Sequence, residues 1–439
     1  MPLRMPGRLA ALIAAVFPMP NLPALWRDHD FVRLWSAQAV SAFGARITRE
    51  GLPIAAVLSL GASPADVGLL AAISHGPALL VGLAAGGFVD RSRRRGIMMA
   101  ADLVRAAVLA TIPIAALLGV LTLPQLYVAA ALVGAASVLF EIADHAYLPS
   151  LVARDQIGRA NASFSATESV AEIGGPALAG LLFQLLAAPI AIAANAVTYL
   201  VSAVFLFGIQ KPEPEPLPEP HARWTDDVRL GFGAALRHPL ARPMFLSSWM
   251  QSLGGGIFSA LYILFCVEVV GLTPALLGLT IAAGGVGALM GAALAGPVSR
   301  RFGVGTTFIG AQVLVALAIA IIPLSPPDPA RGMGFLVVSQ ILGDLLGVTT
   351  MILGTTLIQM VMPVHVLGRV NAAFKAATGG LMVAGALLGG LLGEVLGVRG
   401  AIWVGVAGLA IAPLLSLPGP LKRLREMPSG AEDPAGGQG

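Results

Sequence analysis

Residues 157–182 read IGRANASFSATESVAEIGGPALAGLL, and residues 367–392 read LGRVNAAFKAATGGLMVAGALLGGLL. Laid on each other without a gap, they agree at 11 of 26 positions, among them Gly158/Gly368, Arg159/Arg369, Asn161/Asn371 and Phe164/Phe374. The offset is 210 residues, and the same offset sets Gly86 on Gly296 and Arg91 on Arg301. Two separated stretches sharing one offset mark an internal duplication rather than chance agreement in an Ala- and Gly-rich chain. The 439 residues therefore divide into two related halves.

Composition says what each half is made of. Hydrophobic residues make up 56% of the chain and charged residues only 11%, against roughly a quarter charged in a soluble domain. Mean hydropathy is +0.84. With Cys266 as the sole cysteine, a disulfide framework is excluded. A helix needs about 20 mostly apolar residues to cross a bilayer. Twelve stretches meet that need, near 33–58, 66–89, 97–119, 125–148, 162–186, 188–209, 244–269, 275–298, 304–325, 333–360, 372–396 and 400–417. Their apolar runs are continuous and do not alternate, which excludes a membrane β-barrel. The expected fold is an all-α membrane protein: twelve transmembrane helices in two six-helix bundles, related as a parallel repeat, around a central cavity.

The basic residues orient it. With a cytoplasmic N-terminus, 22 of the 27 Lys and Arg fall on the cytoplasmic side, two (Arg331 and Arg399) outside, and three (Arg46, Arg49 and Arg105) within spans. That asymmetry places both termini in the cytoplasm and accounts for the +4 net charge by topology and anionic lipid, without nucleic acid. The stretch KPEPEPLPEP, 211–220, cannot form a helix. The following TDDVRLGFGAALRHP is expected to be an amphipathic helix on the membrane surface. The predicted division is a cytoplasmic N-terminal tail over 1–30, a first bundle over 31–209, a linker over 210–242, a second bundle over 243–418 and a disordered cytoplasmic tail over 419–439. The apolar run Leu9 to Phe17 is too short to span and is followed by Pro18, Pro20 and Pro23, so it reads as tail rather than signal peptide, with Met19 an alternative start.

Between the second and third spans lies Gly86-Gly87-Phe88-Val89-Asp90-Arg91-Ser92-Arg93-Arg94-Arg95, and its weakened copy is Gly296-Pro-Val-Ser-Arg300-Arg301-Phe-Gly303. In a twelve-span duplicated chain this resembles the signature loop of the major facilitator superfamily, with Arg93 where that family has Gly and Arg300 in place of the acid. The resemblance covers nearly the whole chain. It implies transport by alternating access, with Gly86, Asp90, Arg91, Arg94 and an acid at the base of helix 4, Asp144, forming a latch at the cytoplasmic gate. A carboxylate at Asp90 near the start of helix 11 gains roughly 0.3–1 kcal/mol from that helix terminus, and Arg94, one turn on, can pair with it. Helix 5 carries Gly174-Gly175-Pro176-Ala177-Leu178-Ala179-Gly180, which resembles the antiporter-associated Gly-Pro bend of the superfamily. FVRLWSAQAVSAFG in helix 1, Ala101-Asp102-Leu103-Val104-Arg105-Ala106 in helix 3 and AYLPSLV in helix 4 are similar to the bacterial macrolide-efflux and enterobactin-exporter branch. The arginine that proton antiporters often carry in the fourth span is absent.

An ionisable residue inside a bilayer costs about 2.5–3.5 kcal/mol and needs a partner or a wet cavity. Helix 1 holds Arg46, Arg49 and Glu50. Arg46 and Glu50, four apart, are expected to pair within the helix, leaving Arg49 for Glu168 or Glu172 of helix 5. Glu50 or Glu172 could then exchange a proton when substrate displaces Arg49. In the second half the deep acid is Asp344. Asp102 and Arg105 are read as a local ion pair, His75 as a packing histidine, and Glu141, Asp144 and His145 as gate rather than metal residues. No Walker loop, GxSxG or HExxH occurs, so neither ATP nor enzyme chemistry is expected. The resulting expectation is a monomeric exporter of hydrophobic or amphipathic small molecules in the bacterial cytoplasmic membrane, driven by a proton gradient without a cofactor. An importer or lipid flippase of the same fold, and a non-transporting sensor or scaffold, are the alternatives.

Overall fold

The computed structural model describes residues 25–84, 88–89, 91–213 and 224–426. Gly86, Asp90, residues 1–24, most of the Pro-rich stretch and residues 427–439 lie outside them. Six helices precede the linker: α1 His29–Leu60, α2 Pro64–Ala84, α3 Arg94–Leu117, α4 Leu123–Leu151, α5 Ile157–Leu185 and α6 Ala188–Phe207. The linker holds α7, Trp224–Arg237, where the amphipathic helix was expected. Then come α8 Ala241–Leu264, continued by a π-helical turn Phe265–Val269, α9 Pro274–Phe302, α10 Val304–Ala320, α11 Pro329–Val361 and α12 Val364–Ser416.

Nine of these helices are long and apolar enough to cross a membrane. Helix α12 counts for two spans, because Gly397 at φ 72° and ψ 159° breaks it between 364–396 and 398–416. Only glycine takes that backbone without strain. The two spans short of the apolar criterion are α1 and α5, and they are short for one reason: they carry the Arg46, Arg49, Glu50, Glu168 and Glu172 charges. With them the count is twelve. Several helices begin or end about a turn beyond the apolar stretches, because a helix continues past the hydrocarbon into its caps.

Asp30 at the start of α1 accepts hydrogen bonds from the Gln210 and Lys211 amides just after α6, at 3.0 and 2.9 Å. Both ends of the first half therefore lie together, at what is termed the linker end. Glu213 accepts from the Arg94 and Arg95 amides at 2.6 and 3.3 Å and so caps α3. Lys211 Nζ reaches the Leu151 carbonyl at 2.6 Å. At the other side of the linker, α7 lies on the start of α12, with Gly231 pressed against the Arg369 carbonyl.

The duplication is visible in packing. Phe164 of α5 meets Phe31 of α1 at 5.9 Å between ring centres, and its repeat mate Phe374 of α12 meets Phe245 of α8 at 5.2 Å. Phe31 and Phe245 each open an F-x-x-x-W string, ending in Trp35 and Trp249.

The halves meet at the end remote from the linker, along two seams. On one, Gly68 of α2 backs onto α12, where a Cβ would sit 2.6 Å from Gly390 Cα. On the other, Gly180 of α5 backs onto α9, where a Cβ would sit 2.8 Å from Gly278 Cα. Gly68 and Gly278 are 210 apart, as are Gly180 and Gly390, so the two seams are one contact used twice. Absence of a side chain on both partners lets the backbones touch.

Candidate transport site

Helix α1 carries its charges at 46, 49 and 50, and α5 carries Glu168 and Glu172 four residues apart on one face. Gly175 brings the two helices together. A Cβ there would lie 2.6 Å from Arg46 Cγ and 2.7 Å from its Cβ, so the arginine stem occupies the room a side chain would need. Held in that slot, the Arg46 guanidinium forms ion pairs with both Glu168 and Glu172. Arg49 Nε meets Glu50 Oε1 at 2.9 Å, and Arg49 Nη2 meets Glu172 Oε1 at 3.3 Å. Glu172 is thus shared between two guanidinium groups.

This corrects the expected Arg46–Glu50 pair. Spacing of four permits it, but the Gly175 contact turns Arg46 toward α5, and Glu50 pairs with its chain neighbour Arg49 instead. The expected Arg49–Glu172 contact is present.

Arg46 and Glu50 are nearly enclosed, with side chains 12% and 10% exposed, whereas Arg49, Glu168 and Glu172 are 47%, 56% and 41% exposed. In a stretch that crosses the bilayer, such exposure means a wet cavity. A cleft of about 240 Å³ opens there, lined by Gln38, Arg46, Arg49, Glu141, Asp144 and Glu168, with apolar Ala42, Ala45 and Phe140 among them. It lies in the half of the bundle nearer the linker end.

From the second half, Asp344 of α11 presses its carboxylate against Gly284 of α9, beside Gln340. Its charged neighbours come from the first half: Glu172 and Arg49. His75 on α2, expected as a packing histidine, is exposed and feels the Arg49 charge. Tyr262 of α8, 6% exposed, has Cys266 beside its hydroxyl and feels the charges of Asp344 and Glu50. Sequence reading passed over Tyr262 and Cys266; a polar pair one turn apart in an apolar span was the available signal. What the geometry assembles is a guanidinium, Arg49, held by Glu50 and Glu172, with its charge felt at Asp344 of the other half.

The remaining expected residues are placed as follows. Asp144 is half-buried beside Gln38, Glu141 and His145. No ion pair joins it to Arg94, whose amide is taken by Glu213; Gly86 and Asp90 are outside the described residues, and Arg91 lies in the turn before α3. Gly174 faces Phe43, where a Cβ would lie 3.6 Å from the ring, the Pro176 carbonyl lies against Gly278, and Gly180 forms the seam. The Gly-Pro string of α5 therefore serves three contacts within one otherwise continuous helix. Asp102 and Arg105 do form the expected ion pair, and it is fully enclosed. The Arg105 guanidinium lies between the Phe140 and Tyr199 rings, at 4.5 and 4.1 Å from their centres.

Residues 23–435 match the family described as transmembrane secretion effector. A relative in Bacillus subtilis (strain 168), the uncharacterised MFS-type transporter YfiS, is 28% identical over 417 residues, covering 90% of this chain and 94% of its own. Among solved structures, a mutant of the nucleoside transporter NupG is similar with a TM-score of 0.74 at 12% identity, over 88% of this chain and 99% of its own. A bacterial homologue of the iron transporter ferroportin, in an inward-facing state, gives 0.70 at 16% identity, over 90% and 98%. At those identities the likeness establishes the fold. The family match spans nearly the whole chain, and this multi-pass membrane protein belongs to the transmembrane secretion effector family of major facilitator transporters.

Proposed function

We propose that the chain exports hydrophobic or amphipathic small molecules across the bacterial cytoplasmic membrane by proton antiport and alternating access, as expected of the macrolide-efflux and enterobactin-exporter branch it resembles. The observation that carries this reading is Arg49, paired with Glu172 and Glu50 at a cavity where its charge also acts on Asp344 of the other half. A substrate that draws Arg49 away from Glu172 leaves a carboxylate without its counter-ion, and a carboxylate in that position takes up a proton more readily. Binding and protonation are then linked. The apolar share of the cleft, Ala42, Ala45 and Phe140, suits an amphipathic molecule better than a sugar, which needs many polar partners.

The asymmetry of basic residues supports placing the linker end in the cytoplasm. With that orientation the glycine seams close the outer side and the cleft faces inward, ready to load substrate for export. Gly86, Asp90, Arg91, Arg94 and Asp144 then serve as the inner latch, engaged when the protein turns outward, and Gly174, Gly175, Pro176 and Gly180 allow α5 to flex. The protein works as a monomer on the proton gradient with no cofactor.

The test is flux into inverted membrane vesicles. The wild-type chain accumulates a lipophilic dye when the lumen is acidified, and Glu172→Gln loses the pH dependence of that uptake. An unchanged pH profile in Glu172→Gln removes Glu172 from coupling, and flux in the opposite sense makes the protein an importer.

A further inference from the structure

The N-terminus of α2 leaves one donor for another helix to satisfy. Pro64 has no N–H. Ser63 is the cap: its hydroxyl accepts from the Asp66 amide at 3.3 Å, its carbonyl accepts from the Val67 amide at 3.1 Å, and Asp66 Oδ2 accepts from the Ser63 amide at 3.0 Å. This is a reciprocal capping box. Asp66 is fixed in turn by the Tyr127 hydroxyl at 3.0 Å. Only the Ala65 amide remains of the first-turn donors. Its partner is Glu394 Oε1 at 3.0 Å, from α12 in the other half.

We propose that Glu394 is a gating residue: its carboxylate, carried by the second half, latches the N-terminus of α2 in the first half and must release it before the cavity can open at the end remote from the linker. The inference rests on the alternating-access reading for its place in a cycle, but the latch itself rests on three observations.

First, at the remote end, among the described residues, the hydrogen bonding that crosses between the halves is that of Glu394. The rest of each seam is glycine against backbone and apolar side chains, such as Gly393 on Pro64 and Gly285 on Ile173. Such contacts are apolar and symmetric and carry no group that can switch. Second, Glu394 lies in the last turn before the Gly397 break, where the carbonyl ends of its own helix disfavour a negative charge. The positive N-terminus of α2 supplies the compensation. Third, the repeat gives an internal control. Gln184 of α5 stands 210 residues before Glu394, and Ala275 of α9 stands 210 after Ala65. Thr273 caps α9, accepting from Leu276 at 3.4 Å, but Gln184 makes no hydrogen bond to the Ala275 amide. One scaffold, used twice, carries the carboxylate on one seam only. The inner latch expected at Asp90, near the end of the second span and close to where the eleventh begins, would be its counterpart at the opposite end of the α2–α12 pair.

The test uses the full chain in lipid nanodiscs with spin labels at Leu69→Cys and Val395→Cys, positions 40% and 81% exposed on either side of this seam. Cys266 is fully enclosed and stays unlabelled. Distance distributions are compared for the parent, Glu394→Ala, Glu394→Gln and Gln184→Ala. Glu394→Ala should raise the long-distance population about three- to tenfold, with Glu394→Gln between it and the parent because an amide oxygen still accepts but carries no charge. Gln184→Ala should leave the distribution as it is. If Glu394→Ala matches the parent, or if Gln184→Ala shifts as far, the latch is wrong. A parent whose distances shift when the pH is stepped or a lipophilic dye is added, while Glu394→Ala changes nothing, would sink the latch and leave transport standing. A parent fixed at one distance, with Glu394→Ala opening the seam, would support the latch and count against alternating access.

Discussion

Asp102 in the first half and Gln312 in the second stand at the same place in the repeat, 210 residues apart, and both are buried. Asp102 pairs with Arg105, itself enclosed by Phe140 and Tyr199. Gln312 donates to Ser247 Oγ at 3.1 Å and accepts from Ser416 Oγ at 3.4 Å. The first half fastens its third helix with a charge pair, the second with neutral hydrogen bonds. The same contrast recurs at the cavity: Glu168 and Glu172 of α5 have Thr378 and Met382 as mates in α12. Backbone contacts, set by glycines, are kept in both halves, while the charges are concentrated in one. A two-fold scaffold can rock about its axis with either chemistry, but a coupled cycle needs titrating groups on one wall and a surface to fit substrate on the other.

The largest effect expected is at that buried pair. Removing one partner of an enclosed ion pair strands the other, at about 3–5 kcal/mol. Arg105→Met should therefore lower thermal stability in detergent far more than Gln312→Met, which removes neutral hydrogen bonds worth about 1–2 kcal/mol. Equal losses would mean that the two halves are fastened alike, whatever their charges.

The seams offer the opposite expectation. Gly68→Val and Gly180→Val each force a side chain onto a backbone, with the nearest Cα at 2.6 and 2.8 Å. Each should cost about 1–3 kcal/mol and, in the nanodisc label experiment, hold the remote end apart. Because the two contacts are repeat mates, the variants should behave alike; a large effect at one seam only would break the equivalence.

How far the sequence could be read follows from the same contrast. The duplication is legible because residues 157–182 and 367–392, Gly86 and Gly296, and Arg91 and Arg301 keep one offset, and the twelve spans because apolar runs are long and unbroken. The F-x-x-x-W strings were missed because Phe31 and Phe245 are 214 apart, four residues out of step with the rest. The partner of Arg46 was not legible: periodicity proposes Glu50, and only the closeness of α5 at Gly175 redirects the guanidinium. Glu394 was invisible for a related reason, since the amide it holds is 329 residues away. Local spacing fixes helices; which charge meets which is decided by how near two backbones come.

The smallest effect expected is at the entrances of the two halves. Asp28 caps α1, accepting from the Asp30 and Phe31 amides at 2.9 and 3.2 Å. The second half uses an imidazole instead: His238 Nδ1 accepts from the Leu240 and Ala241 amides at 3.3 and 3.4 Å as the chain enters α8. Burial pulls the His238 pKa below the ordinary histidine value, so the folded chain favours the neutral ring that can accept. A base with a depressed pKa contributes stability that is present above its unfolded value, about 6.5, and is lost as pH falls below it. Hydrogen exchange over residues 239–245 should therefore quicken on going from about pH 7.5 to about pH 5.5, after correction for the intrinsic rate. In His238→Asn that change should be absent, because an amide side chain does not titrate in this window. Protection that stays level in the wild-type chain would show that this entrance, like the Asp28 one, is held by something other than a titrating ring.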